Sequence, residues 1–134
     1  MKAEFSRVHW GRILLTSILV VILVIILNMV LSLLASQVWG PPSQTHQITY
    51  LVASWSTFVL QLVLTVGGAV WVARKVESGA PLHGFLVGLV VALIFFPLSL
   101  GFRNPALVML VSFVLTVAAG WLGGILGSRG RETS

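Results

Sequence analysis

From Ile18 to Leu27 the chain has no polar side chain at all, and no soluble fold holds such a run against water. A bilayer does. Crossing a hydrocarbon core of about 30 Å at 1.5 Å per residue takes about 20 mainly apolar residues, and four segments reach that length: 12–36, 49–73, 82–100 and 106–127. They fill most of the 134 residues, and only 8% of the chain is charged against roughly a quarter in a soluble domain. The pattern predicts an all-α polytopic membrane protein, a four-helix transmembrane bundle forming one domain.

The ends of the spans carry helix punctuation. Asn104 before Pro105 reads as an N-cap followed by a first-turn proline, Pro81 opens the third helix in the same way, and Gly40, Pro41 and Pro42 stop the first. Lys2, Arg7 and Arg12 precede the first apolar run, but that run is far longer than the core of a signal peptide, and no small-x-small cleavage site follows at 33–36. Orientation follows from the cations, which are retained on the cytoplasmic side of short loops. Lys2, Arg7, Arg12, Arg74, Lys75, Arg129 and Arg131 all fall on one side, and only Arg103 on the other. Both termini and the 74–81 loop are therefore expected in the cytoplasm with a 128–134 tail, and the 37–48 loop, with His46, outside. Trp10, Trp39, Tyr50, Trp55, Trp71 and Trp121 read as interfacial anchors. The net charge of +5 is explained by this sidedness, so no nucleic-acid partner is expected.

Membrane helices associate by close packing and inter-helix hydrogen bonds, since lipid tails are as apolar as leucine. Each span carries a stripe of small or polar residues suited to that. The third has Gly84, Gly88 and Ala92, and the fourth Ser112, Thr116, Gly120 and Gly124 with Gly123 and Gly127 beside them. The second has Ser54, Thr57, Gln61, Thr65 and Gly68 on one face. The first is sparser, with Ser17, Asn28, Ser32 and Ala35, and is expected to face the most lipid. Joined stripes make a compact bundle with a small, mildly polar interior rather than a wide aqueous pore.

Gln61 near the middle of its span and Asn28 near the middle of its own are intramembrane amides in need of partners. With Thr65 they either fasten helices together or line a path for a small solute, because polar groups at bilayer depth often mark such routes. Arg12 at the boundary aside, no Asp, Glu, Lys or Arg lies inside a span, which argues against a proton-coupled or cation-coupled transporter. Pro97 removes an N–H near the end of the third helix and should kink it. The three histidines, His9, His46 and His83, show no ligand spacing: two are placed at the cytoplasmic mouths of the first and third helices and one in the outer loop. No metal, tetrapyrrole or other cofactor is expected. The absence of cysteine excludes disulfides, thiolate zinc sites and cysteine nucleophiles, and no carboxylate accompanies a histidine as a serine triad needs. The expectation is a protein that is not an enzyme.

Val63-Leu64-Thr65-Val66-Gly67-Gly68 in the second span is echoed by Val114-Leu115-Thr116-Val117-Ala118-Ala119 in the fourth. His9-Trp10-Gly11 and His83-Gly84 open the other two. A tandem pair of two-helix hairpins would produce both echoes. The run Gly67-Gly68-Ala69, then Ala73-Arg74-Lys75, Gly79 and His83-Gly84-Phe85-Leu86-Val87-Gly88 resembles a stretch in small four-helix bacterial membrane proteins of the uncharacterised YrzE-like family. That resemblance covers about a third of the chain. It implies four membrane helices and a bacterial cytoplasmic membrane, and carries over no active-site residue.

Two functions fit. One is an accessory or structural subunit that packs among lipids against other membrane-protein subunits or in a homo-oligomer. The other is a small oligomeric channel or transporter, of which a holin-like pore is the cruder form. Subunit packing expects Gly88 and Gly120 buried against helices and Gln61 paired, whereas a transporter expects a hydrated cavity reaching Gln61.

Overall fold

A membrane interior offers no water to backbone N–H and C=O groups, so a chain this apolar must satisfy them within each segment as helix. The computed structural model describes residues 9–39, 47–101 and 106–132. They form four α-helices: α1 (Trp10–Trp39), α2 (Gln47–Arg74), α3 (Ala80–Gly101) and α4 (Ala106–Glu132). Each is long and apolar enough to cross a membrane.

The helices overrun the apolar segments read from sequence. At 30 residues, α1 is about 45 Å long at 1.5 Å per residue, and α4 continues to Glu132 through residues expected to be a tail. Hydropathy marks only where lipid ends; a helix in the headgroup zone still gains by closing its own hydrogen bonds. Arg129 near the α4 terminus also complements its dipole. Between α2 and α3 the chain reverses through Gly79, whose φ of +70° is a left-handed conformation that glycine adopts without steric cost. Pro97 lies inside α3, and the helix continues past it to Gly101.

Cross-helix contacts give the directions. Ser17 meets Val87 and His9 meets His83, so α1 and α3 run parallel. Gln61 meets Thr116 and Gly127 meets Ala73, so α2 and α4 run parallel, opposite to the first pair. Thus the ends bearing Trp10, Arg74, Ala80 and Glu132 share one side, here termed the basic end. Both α1 and α4 pack on α2 and on α3, and α2 packs on α3. The cross-section is a diamond with α2 and α3 on its short diagonal and α1 and α4 at opposite corners.

Burial is concentrated towards the basic end. Ile13, Thr16, Ser17, Val20, Val21 and Val24 of α1 are buried at the three- and four-residue spacing of one helix face, and residues 29–34 are all exposed. On α3 the buried positions run from Ala80 to Ala92, and Leu93, Phe96, Pro97 and Leu98 are exposed. At the far end Phe96 and Phe113 meet edge to face, ring centres 6.3 Å apart, an aromatic geometry worth about 0.5–1.5 kcal/mol beyond burial.

Candidate functional site

The interior is built on glycine. A Cβ on Gly84 would lie 2.5 Å from the Gly120 carbonyl oxygen and 2.5 Å from Gly124 Cα. One on Gly120 would lie 2.5 Å from the Gly84 oxygen and 2.6 Å from Gly88 Cα. Gly88 faces the Thr116 carbonyl, and Gly124 the first turn of α3 at Ala80 and Pro81. Here α3 and α4 touch backbone to backbone, with Ala92 buried further along α3. A second face of α4 does the same towards α2: a Cβ on Gly123 would meet Ala69 Cβ and the Val66 oxygen, each at 2.6 Å, and one on Gly127 would meet Ala73 Cβ at 2.5 Å. Gly68 is different. Its neighbours are the ends of side chains on α1, Val20 Cγ2 at 2.8 Å and Thr16 Cγ2 at 3.2 Å.

Polar groups are threaded through this packing. Midway along α2, buried Gln61 donates from Nε2 to Thr116 Oγ1 of α4 at 3.1 Å, and the Thr116 hydroxyl donates to the Ser112 carbonyl at 2.7 Å. Thr65 Oγ1 donates to the Gln61 carbonyl, also at 2.7 Å. Thr65 and Thr116, the equivalent positions of the sequence echo, are both fully buried and both bond the carbonyl four residues back. Half-buried Asn28 accepts from Thr57 Oγ1 at 3.0 Å, and Ser17 Oγ, bonded to the Ile13 carbonyl, also lies 3.5 Å from the Val87 carbonyl. Gln61, Asn28 and Thr65 are thus paired inside the protein rather than gathered round a common space.

At the basic end the fold places side chains that sequence reasoning kept apart. By sequence His9 and His83 stand at the mouths of separate helices without ligand spacing, yet the parallel course of α1 and α3 brings their ring centres to 6.2 Å. His83 is only 3% exposed. Its Nδ1 lies 2.9 Å from the Gly79 carbonyl oxygen; a carbonyl can only accept, so Nδ1 carries a proton and Nε2 is the nitrogen left over. Among the described residues, that Nε2 is buried without a hydrogen-bond partner, as is Thr16 Oγ1. Such orphaned groups cost about 1–3 kcal/mol each. The signal available in the sequence was the shared register of His9 and His83, each at the start of a helix running the same way.

Around them lies a basic and aromatic rim. Arg12 Nη1 donates to the Lys75 carbonyl at 3.2 Å, tying α1 to the α2–α3 turn, and Lys75 Nζ sits 4.4 Å from the centre of the Trp71 ring. Arg74 lies along Gly130 of α4. Trp10, Trp55, Trp71 and Trp121 are all substantially exposed, as side chains facing a membrane interface would be. His46, Arg103, Asn104, Pro105 and the Gly40-Pro41-Pro42 stop lie outside the described residues. Among the described residues no group of three or more His, Asp or Glu is placed to hold a metal ion.

Four long apolar helices joined through small-residue faces define a multi-pass helical membrane protein. Comparison with protein-family models, with curated proteins and with solved structures gives no match.

Proposed function

We propose that this chain is a non-enzymatic integral membrane protein that serves as an accessory or structural subunit, packing within a larger membrane complex or a homo-oligomer. The observation that carries this reading is the pairing of Gln61 with Thr116 within a glycine-lined interior. A solute path needs polar groups left over to replace water around its cargo, whereas here the mid-membrane amide is used to join α2 to α4. Asn28 does the same between α1 and α2. The exposed surface of α1, apolar from Leu14 to Leu31, is offered to lipid or to neighbouring helices.

The distribution of cations supports an orientation with both termini in the cytoplasm, in the cytoplasmic membrane of a bacterium, as the likeness to YrzE-like proteins implies. The matching Thr65 and Thr116 hydrogen bonds support descent from a duplicated two-helix hairpin. Single cysteines at Ser43 and at Ser78, in the exposed α2–α3 turn, test the orientation with an impermeant maleimide on intact cells. Labelling is expected at Ser43→Cys only, and labelling at Ser78→Cys only reverses it.

Function is tested by extracting the tagged protein from its native membrane into nanodiscs and weighing what accompanies it. Stoichiometric larger subunits, or a discrete homo-oligomer without ion or solute flux, are expected. A homo-oligomer that conducts in liposomes, with flux altered by Gln61→Leu, makes the chain a small oligomeric channel instead.

A further inference from the structure

We propose that His9 and His83 form a two-nitrogen site at the basic end for a copper ion. The fold positions both rings. The His9 carbonyl accepts the first hydrogen bonds of α1, from Arg12 N at 3.0 Å and Ile13 N at 3.2 Å, which anchors its backbone. The His83 ring is set by its Nδ1 bond to the Gly79 oxygen. One ring nitrogen on a backbone carbonyl with the other left bare is how metal-binding histidines are commonly held, because the carbonyl selects the tautomer and orients the ring.

The independent observation is the orphaned Nε2 of His83, in a residue 97% removed from solvent. An imidazole nitrogen buried in this way needs a hydrogen-bond partner or a metal. Two imidazoles sharing an ion at about 2.0–2.1 Å per nitrogen hold their ring centres about 4.5 Å apart at a right angle at the metal, about 5.2 Å at the tetrahedral angle and about 6.4 Å when opposed. The observed 6.2 Å fits nitrogens on opposite sides of the ion, as in a tetragonal copper site, and not tetrahedral zinc. Imidazole suits Cu, Zn, Ni and Fe, and the order of divalent affinities puts Cu(II) first.

With two protein ligands, the remaining positions are open only on the side of exposed His9. Arg12 and Lys75 flank the site and oppose a cation. The Arg12 guanidinium is turned to the Lys75 carbonyl and the Lys75 ammonium to Trp71, so each has a partner of its own. A bound ion would join the start of α1 to the start of α3.

The test uses the full chain with a histidine-free tag, in detergent, titrated with Cu2+ alone and read by electron paramagnetic resonance and a competition assay. One Cu2+ per chain with nitrogen hyperfine structure is expected. His9→Ala, at an exposed position, should weaken binding at least tenfold with unchanged helicity. His83→Gln should do the same, and His46→Ala should leave affinity unchanged. Binding unaffected by His9→Ala, binding abolished by His46→Ala, or no stoichiometric binding by the native chain would each overturn the proposal.

Discussion

The two corner helices, α4 and α1, meet the same pair of neighbours by different means. α4 lays glycine against backbone on both sides, through Gly120 and Gly124 to α3 and through Gly123 and Gly127 to α2. α1 has no glycine in either contact, and Gly11 has nothing within 4 Å of a built Cβ. It docks by side chains instead: Val20 and Thr16 on Gly68, Ser17 towards the Val87 carbonyl, Asn28 with Thr57. In lipid, where apolar burial drives no association, closeness of approach decides how much dispersion and hydrogen bonding a helix pair gains. The difference teaches that α4 is set backbone to backbone against α2 and α3, whereas α1 stands off this α2–α3–α4 unit at side-chain distance.

The largest blow to that comparison should come from Gly120→Leu. Its side chain must displace the Gly84 and Gly88 backbone, and overpacking costs of about 1–3 kcal/mol are a lower bound where rigid backbone is the obstacle. Thermal unfolding in detergent, followed by circular dichroism, should register a collapse of the transition. If α4 tolerated leucine there, the distinction between the corners would fail.

Gln61→Leu comes next, at about 0.6–1.7 kcal/mol for one lost inter-helix hydrogen bond. Thr116 keeps its bond to the Ser112 carbonyl, so no hydroxyl is orphaned. A double-mutant cycle with Thr116→Val, read by steric-trap unfolding, should return a coupling of that size. A coupling near zero would remove the hydrogen bond from the account of how α4 is held.

Gly68→Ala should be milder, below about 1 kcal/mol, because the obstacle is the end of Val20, which can move at the modest cost of a strained rotamer. Its effect should be local. In a chain bearing Cys in place of Asn28 and of Thr57, the rate of disulfide formation between α1 and α2 should fall while the α2–α3–α4 unit keeps its melting point. A fall in that melting point would show α1 to be integral to the core. Least of all, Gly67→Ala should change stability by about zero or raise it by up to about 1 kcal/mol, since nothing lies within 4 Å of the new methyl group and alanine is the better helix former.

Number, type and rough extent of the helices were legible in the sequence, because lipid forces every span to close its own hydrogen bonds and to be apolar throughout. So was the role of small residues in general: Gly84, Gly88, Ala92, Gly120 and Gly124 stood out by four-residue spacing, which any helix converts into one face. The ends were less legible, since α4 runs on to Glu132 through residues too polar for lipid but well suited to helix.

Only the tertiary structure decided which stripe meets which. Spacing cannot say that Gly123 and Gly127 face α2 while Gly120 and Gly124 face α3, nor that Gln61 reaches Thr116 rather than Asn28, because a helix face carries no label for its partner. The same holds at the basic end. His9 and His83 are far apart along the chain, and it is the direct, parallel packing of α1 on α3 that makes them neighbours.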